Sequence, residues 1–159
     1  MSEPGTPEPL AFSLREASAD DADTIIAFNQ ALARESEGKE LDREILGRGV
    51  RRLLDEPLLG RYFVAVDGQD HVIGQIMITT EWSDWRCGHF YWIQSVFVAP
   101  EQRRRGVYAA LHRHVVAHAR SRGDVVGVRL YVEPDNVRAQ KTYESLGMTK
   151  TYNVMEQPL

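Results

Sequence analysis

One stretch of this chain limits the folds that it can adopt. An extended apolar run over residues 96–99 leads through three arginines, residues 103–105, into a helical pattern that opens at Gly106. The N-terminus of a helix leaves backbone N–H groups unpaired and carries a partial positive charge, so it binds phosphate well. Glycine lets the backbone approach a ligand, and arginine adds charge-assisted contacts. Taken alone, this pattern predicts a ligand that carries phosphate.

Composition and missing motifs narrow the class of protein. Neither G-x-x-x-x-G-K-[ST] nor G-x-G-x-x-G occurs in the sequence, which disfavours the common nucleotide and dinucleotide sites. A length of 159 residues suggests one domain, and a formal net charge of −4 does not favour nucleic acid or an anionic membrane as partner. No apolar run approaches the roughly 20 residues that cross a bilayer. We therefore expect a cytoplasmic protein.

The periodicity of apolar residues predicts a mixed α/β fold. Residues 1–9 contain three prolines and indicate a flexible N-terminal tail, followed by a single domain over residues 10–159. The element order is β-α-α-β-β-β-α-β-α-β, with helices beginning after Ser18, after Asp42, at Val107 and at residues 134–136. The predicted strands are residues 10–15, 62–66, 72–80, 90–98, 126–132 and 149–156. This order predicts one sheet of six to seven strands, antiparallel in its N-terminal half and parallel near the third of about four helices.

Two motifs together resemble the acetyl-CoA signatures of the GNAT acetyltransferase superfamily. Residues 96–108, VFVAPEQRRRGVY, are similar to its strand followed by [RQ]-x-x-G-x-[GA] at a helix start. Residues 136–148, NVRAQKTYESLGM, resemble its second signature, N-x-x-A-x-x-x-Y-E-x-x-G-[FM]. The resemblance covers the element order from Leu10 onward. It implies the GNAT fold and an acetyl-CoA-dependent N-acetyltransferase that uses no metal and transfers the acetyl group directly to an amine.

The resemblance also implies roles for individual residues. The backbone of Val96 and Val98 would pair with the pantetheine arm of acetyl-CoA as an added strand. The amides of residues 104–108 would hold the pyrophosphate, and Asn136 would bind the pantetheine. Tyr143 would be the catalytic residue, with its hydroxyl at the thioester sulfur as general acid. The implied cofactor-binding residues are Val96, Phe97, Val98, Arg103, Arg104, Arg105, Gly106, Val107, Tyr108, Asn136, Ala139 and Tyr143.

The sequence departs from the family pattern in two places. Tyr108 stands where the signature usually has glycine or alanine, so its side chain must point away from the pyrophosphate or pack beside it. Residues 92–95 contain no carboxylate that could act as general base, which some family members carry in this strand. Water could remove the proton of the amine instead, with more distant groups as candidate bases. These are Glu35, Glu37, Glu81, Asp84 and His89.

The sequence leaves the acceptor and the catalytic role open. The acceptor could be a small amine, an antibiotic or polyamine, or the amine of a peptide or protein, and acidic residues near positions 33–42 favour a cationic acceptor. The missing base supports a rival hypothesis, a non-catalytic acetyl-CoA-binding sensor or assembly module. Dimers are common in the family that the chain resembles.

Some side chains have an ordinary structural interpretation. His114 and His118 lie one helical turn apart, and without a third ligand we interpret them as surface residues. The single cysteine, Cys87, excludes an internal disulfide and suits a reducing compartment. Five aromatic residues crowd one predicted strand and the connection before it, and we expect some of them to line a cleft or an interface. They are Trp82, Trp85, Phe90, Tyr91 and Trp92.

Overall fold

A mixed sheet of five strands organises the part of the chain that the computed structural model describes, residues 11–159. The predicted tail at residues 1–9 and the start of the first predicted strand lie outside these residues. The strands are β1 (Ser13–Glu16), β2 (Arg61–Val66), β3 (Val72–Ser83), β4 (Gly88–Val98) and β5 (Val125–Leu130), and they are neighbours in chain order. β1 to β4 pair antiparallel, whereas β4 and β5 pair parallel. The predicted mixed α/β sheet is thus confirmed.

Four helices flank this sheet. They are α1 (Ala22–Glu37), α2 (Arg43–Asp55), α3 (Val107–Arg122) and α4 (Val137–Ser145). The Asp42 side chain caps α2 by accepting hydrogen bonds from two amides of its first turn, each at 2.9 Å. Gly123 ends α3 in the left-handed conformation, with φ of 73°. No helix in residues 11–159 is long and apolar enough to span a bilayer.

The predicted number of strands was too high. The sheet has five strands within the described residues, not six or seven, and residues 149–156 do not form the expected final strand. These residues are exposed and join no ladder of the described chain. A strand needs backbone groups of a neighbour to pair with, so strand-forming residues alone do not make one.

Each face of the sheet carries its own helices. The side chains of a strand alternate between the two faces, which explains why one sheet supports two cores. On one face α3 packs against the central strands through Val107, Leu111 and Val115, all at most 2% exposed. On the other face α1 and α2 cover Tyr62, and Ile25 of α1 is fully buried there. The helix that follows the arginine turn is therefore anchored firmly to the sheet.

Candidate active site

β4 and β5 separate part of the way along the sheet. Their pairing ends at Ile93 and Leu130, although β4 continues to Val98. Beyond this point β4 contains a bulge, because Ser95 and Val96 together occupy the space opposite one residue of β3. Ser95 adopts a positive φ of 48°. The separation opens a gap beside residues 94–98 of β4.

The backbone of β4 presents polar groups to this gap. The N–H of Ala99 donates to the carbonyl of Ile73 in β3 at 2.9 Å. Because successive residues of a strand direct their hydrogen-bonding groups to opposite sides, the N–H and C=O of Val98 point away from β3. The carbonyl of Val96 points the same way, since the next residue pairs with β3. The Val98 carbonyl accepts a hydrogen bond from Arg103 Nε at 3.0 Å.

The arginine turn leads from β4 into α3 through two left-handed residues. Arg104 has φ of 64° and Gly106 has φ of 78°. The first backbone hydrogen bond of α3 runs from the Ala110 N–H to the Gly106 carbonyl at 3.0 Å. The amides of residues 106–109 therefore have no acceptor within the helix. This geometry produces a cluster of N–H groups at the positive end of a helix, beside the gap.

The three arginines of the turn make different contacts. Arg103 donates to Glu35 Oε2 of α1 at 2.8 Å, and its guanidinium lies 5.4 Å from the ring centroid of Phe97. Arg105 donates to Gln102 at 3.2 Å. Within residues 11–159 no side chain forms an ion pair with Arg104. Arg103 thus fixes the turn to α1, while Arg104 and Arg105 leave their charges in solvent.

The second signature forms the start of α4. Asn136 caps this helix, with its Oδ1 accepting from the Ala139 N–H at 3.1 Å. Gln140 is 9% exposed and donates to the carbonyls of Glu133 and Pro134 at 3.0 and 2.8 Å. Sequence reasoning missed Gln140, although a polar residue four positions after a cap could have drawn attention to it. Its two hydrogen bonds hold the loop between β5 and α4 in place.

Tyr143 of α4 packs against Tyr108 in the first turn of α3. The two rings meet edge to face, with centroids 5.9 Å apart. The Tyr108 hydroxyl lies 3.3 Å from Nδ1 of His112, which is itself buried. Burial raises the pKa of both tyrosines. Contacts with Tyr143 and His112 therefore explain how the side chain of Tyr108 fits at this position. The contact with Tyr143 also brings the two signatures together.

A buried polar network supports the bulge of β4 from the side of α1. Gln75 of β3 is fully buried, and its Nε2 donates to Asn29 Oδ1 at 2.8 Å and to the Ser95 carbonyl at 3.0 Å. Asn29 in turn donates from Nδ2 to the Tyr62 hydroxyl at 2.9 Å. We did not predict this network, although Gln75 is a conspicuous polar residue in an apolar strand. It holds the backbone of the bulge, which borders the gap.

Substituting Tyr62 by phenylalanine tests this network. The change leaves the Asn29 amide buried without its acceptor, so we expect the free energy of unfolding to fall by about 1–3 kcal/mol. Urea denaturation followed by fluorescence measures this. Tyr131→Phe is the matched control, because Tyr131 is 58% exposed and should change stability little. Equal effects of the two substitutions would contradict a stabilising role for the network.

The side chains of all five candidate bases contact other groups of the protein. Glu35 pairs with Arg103, Glu37 with the Lys39 ammonium at 2.6 Å, and Glu81 with Arg129 at 2.9 Å. Asp84 accepts from the backbone amide of the next residue, and His89 packs edge to face on Trp82. The structure thus does not identify one of the five as a base.

The crowded aromatic residues divide into core and surface. Phe90 and Tyr91 are buried, whereas Trp82 and Trp85 are 57% and 90% exposed. Trp92 is half-buried and stacks on Tyr131 across the β4–β5 pair, with ring centroids 4.5 Å apart. Only part of the group is therefore core, and the expected cleft or interface at the exposed rings stays a prediction.

The two histidines of α3 have packing partners. Both rings contact Phe63, with centroids 4.9 Å away for His114 and 5.2 Å for His118. His118 Nδ1 also lies 3.1 Å from the Tyr91 hydroxyl. In the part of the chain described, no group of three or more His, Cys, Asp or Glu side chains is arranged to hold a metal ion.

Comparison with known proteins identifies the family. The family model described as the acetyltransferase (GNAT) family matches residues 22–148. The chain belongs to this family and is an acyltransferase. No curated protein matches the chain.

Solved structures share the fold. A protein from Clostridium difficile 630, described as a possible acetyltransferase, is 47% identical with a TM-score of 0.88, over 94% of this chain and 98% of its own. A predicted acetyltransferase with acetyl-CoA from Clostridium acetobutylicum is 17% identical, with a TM-score of 0.75 over 92% and 96% of the two chains. A Trypanosoma brucei acetyltransferase is 18% identical, with a TM-score of 0.71 over 93% and 99%. The last two support the fold alone.

Proposed function

We propose that this protein is an N-acetyltransferase that moves the acetyl group of acetyl-CoA directly to an amine. One observation carries the proposal: β4 and β5 separate after Ile93 and Leu130, and the gap is bordered by the free amides of α3. Tyr143 lies against the first turn of that helix. Acyl transfer from the thioester of a phosphate-bearing carrier requires space for the carrier, donors for its phosphate and an acid for the leaving thiolate. The gap, the amide cluster and Tyr143 would supply these three.

The residues beside the gap suit acetyl-CoA. A pantetheine arm could add to β4 as a further strand, using the Val96 carbonyl and the Val98 N–H. The Val98 carbonyl is already occupied by Arg103, so we assign it no role in binding. The amides of residues 104–108 would hold the pyrophosphate, and the exposed Arg104 and Arg105 would add charge. Asn136, whose Oδ1 serves as the cap, keeps its Nδ2 for the pantetheine.

Tyr143 would supply the proton for the leaving group. Attack of the amine nitrogen on the thioester carbon forms the C–N bond, and the C–S bond then breaks to expel the CoA thiolate. Burial raises the pKa of Tyr143, so its hydroxyl is protonated at neutral pH and can donate to the sulfur. The amine loses its own proton to water. Water then returns a proton to the Tyr143 phenolate, so each proton and bond is accounted for without a protein base.

The acceptor is less restricted than the acidic composition near α1 suggests. Glu35, Glu37 and Glu40 all form ion pairs, with Arg103, Lys39 and Arg34 respectively. These three carboxylates therefore have basic neighbours, whereas Asp42 of the same segment caps α2 and forms no ion pair with the described residues. We propose small-molecule and peptide amines as acceptors.

Release of free CoA in the presence of an amine panel tests the proposal. We expect acetyl-CoA, but not ATP or NAD, to raise the melting temperature, and at least one amine to trigger CoA release. Detection of the free thiol measures turnover, and a reaction without amine is the control. Tight binding of acetyl-CoA with no release for any small or peptide amine would favour the non-catalytic binding module. Stabilisation by ATP or NAD but not by CoA would reject both hypotheses.

A further inference from the structure

The short helix α4 turns few of its side chains toward the rest of the protein. Three of its nine residues are buried or half-buried, namely Ala139, Gln140 and Tyr143. The hydrogen bonds of Gln140 run to carbonyls of the loop before α4, so they do not fix α4 against α3. The ring of Tyr143 contacts α3 through Tyr108. The position of Tyr143 therefore depends on what holds Tyr108.

Tyr108 is fixed by a histidine one turn further along α3. Residues four positions apart share a face of a helix, and the Tyr108 hydroxyl lies 3.3 Å from Nδ1 of His112. His112 is 3% exposed, and burial lowers its pKa, so its imidazole is neutral at pH 7. Burial raises the pKa of Tyr108, so its hydroxyl keeps the proton. In the tautomer whose Nδ1 accepts, the hydroxyl donates to His112 and fixes the ring.

The backbone and the side chain of Tyr108 have different neighbours. Its amide belongs to the N–H groups at the start of α3 that have no acceptor within the helix. Its ring lies against α4 and meets Tyr143 edge to face. The GNAT signature usually has glycine or alanine at this position, and their side chains are too short to make this contact. In this chain the position thus supports α4 as well as contributing an amide.

We propose that Tyr108 is a positioning residue that holds Tyr143 in place for catalysis. His112 fixes the ring of Tyr108, and this ring supports the ring of Tyr143, so the Tyr143 hydroxyl stays within reach of the thioester sulfur. The inference rests on the proposed function, in which Tyr143 is the acid. A displacement of about 1 Å can lower a rate roughly a hundredfold, so this support affects catalysis without touching the substrate.

Replacing Tyr108 by alanine tests the support. Alanine is a usual residue of the signature at this position, so the backbone that would hold the pyrophosphate should accept it. We expect kcat to fall about tenfold to a hundredfold, whereas the Kd for acetyl-CoA should stay within about twofold of the wild type. Detection of the released CoA thiol gives kcat, and calorimetric titration gives Kd. A variant with the wild-type kcat would overturn the proposal.

Two further variants show whether Tyr108 acts through Tyr143. Tyr108→Phe keeps the ring and loses only the hydrogen bond to His112, so its kcat should lie closer to the wild type than that of Tyr108→Ala. In a Tyr143→Phe background the hydroxyl that Tyr108 would position is missing. Adding Tyr108→Ala there should lower kcat by less than about twofold. A merely structural role predicts that the two effects multiply, and that result would overturn the proposal.

Hydrogen exchange tests the support without acetyl transfer. In the absence of acetyl-CoA, the amides of residues 140–145 in α4 should exchange about two- to tenfold faster in Tyr108→Ala, the factor expected when an aromatic pair is lost. The amides of α1 are the internal reference, and Tyr152→Ala is the matched control because this tyrosine is 76% exposed. Unchanged exchange in α4 would overturn the proposal whether or not the protein is active. Faster exchange in a protein that acetylates no amine would support the hold on Tyr143 and reject only the proposed function.

Discussion

Tyr143→Phe is expected to lower kcat by about two to four orders of magnitude, the range for losing a general acid. The reason is that phenylalanine keeps the ring, which packs against Tyr108, and removes only the proton that the CoA thiolate would receive. The affinity for acetyl-CoA should therefore change little. Steady-state kinetics with an accepted amine gives kcat, and calorimetric titration of acetyl-CoA gives Kd.

The pH dependence of kcat and a control variant make the test of Tyr143 more specific. Burial raises the pKa of Tyr143 above its ordinary value of about 10, so the acid form persists and kcat should not fall on the basic side below that pH. Tyr152→Phe is the control, because this tyrosine is exposed. If Tyr143→Phe retained the wild-type kcat and pH profile, Tyr143 would not be the acid.

Gly74→Val is expected to weaken both the fold and the cofactor site. A Cβ at Gly74 would lie 2.9 Å from Val107 Cγ1 and 3.5 Å from Leu111 Cδ1, so β3 and α3 are in close contact at this point. Overpacking a core of this kind costs about 1–3 kcal/mol of unfolding free energy. Val107 is the first residue of α3, so a displaced helix also moves its free amides. We expect the Kd for acetyl-CoA to rise at least about tenfold, since a lost charge-assisted hydrogen bond costs ~1.5–3 kcal/mol.

Gly68→Val provides the matched control for this substitution. A Cβ at Gly68 would meet nothing within 4 Å, so the same change should leave stability and binding almost unaffected. Urea denaturation and calorimetric titration compare the two variants. If Gly74→Val lost stability but kept the wild-type Kd for acetyl-CoA, the packing of α3 would not control the proposed binding of acetyl-CoA.

The sequence predicted those features that depend on neighbouring residues. The bounds of α3 follow from Gly106 and Gly123, which lie next to the helix that they delimit. Asp42 likewise caps α2 through amides two and three residues away. The two signatures indicated the family for the same reason, because each is a local run of residues. The roles implied for those residues stay predictions until a ligand or a variant tests them.

The tertiary structure decided what depends on distant partners. Gln75 meets Asn29 across 46 positions of the chain, so no local pattern could reveal the network that holds the bulge of β4. Tyr108 looked out of place in its signature, and only packing against Tyr143 of α4 explained it. Residues 149–156 have strand-forming side chains but no strand in the chain itself. A helix completes its hydrogen bonds within one segment, whereas a strand takes them from another, and the sequence of a segment does not say whether its partner is present.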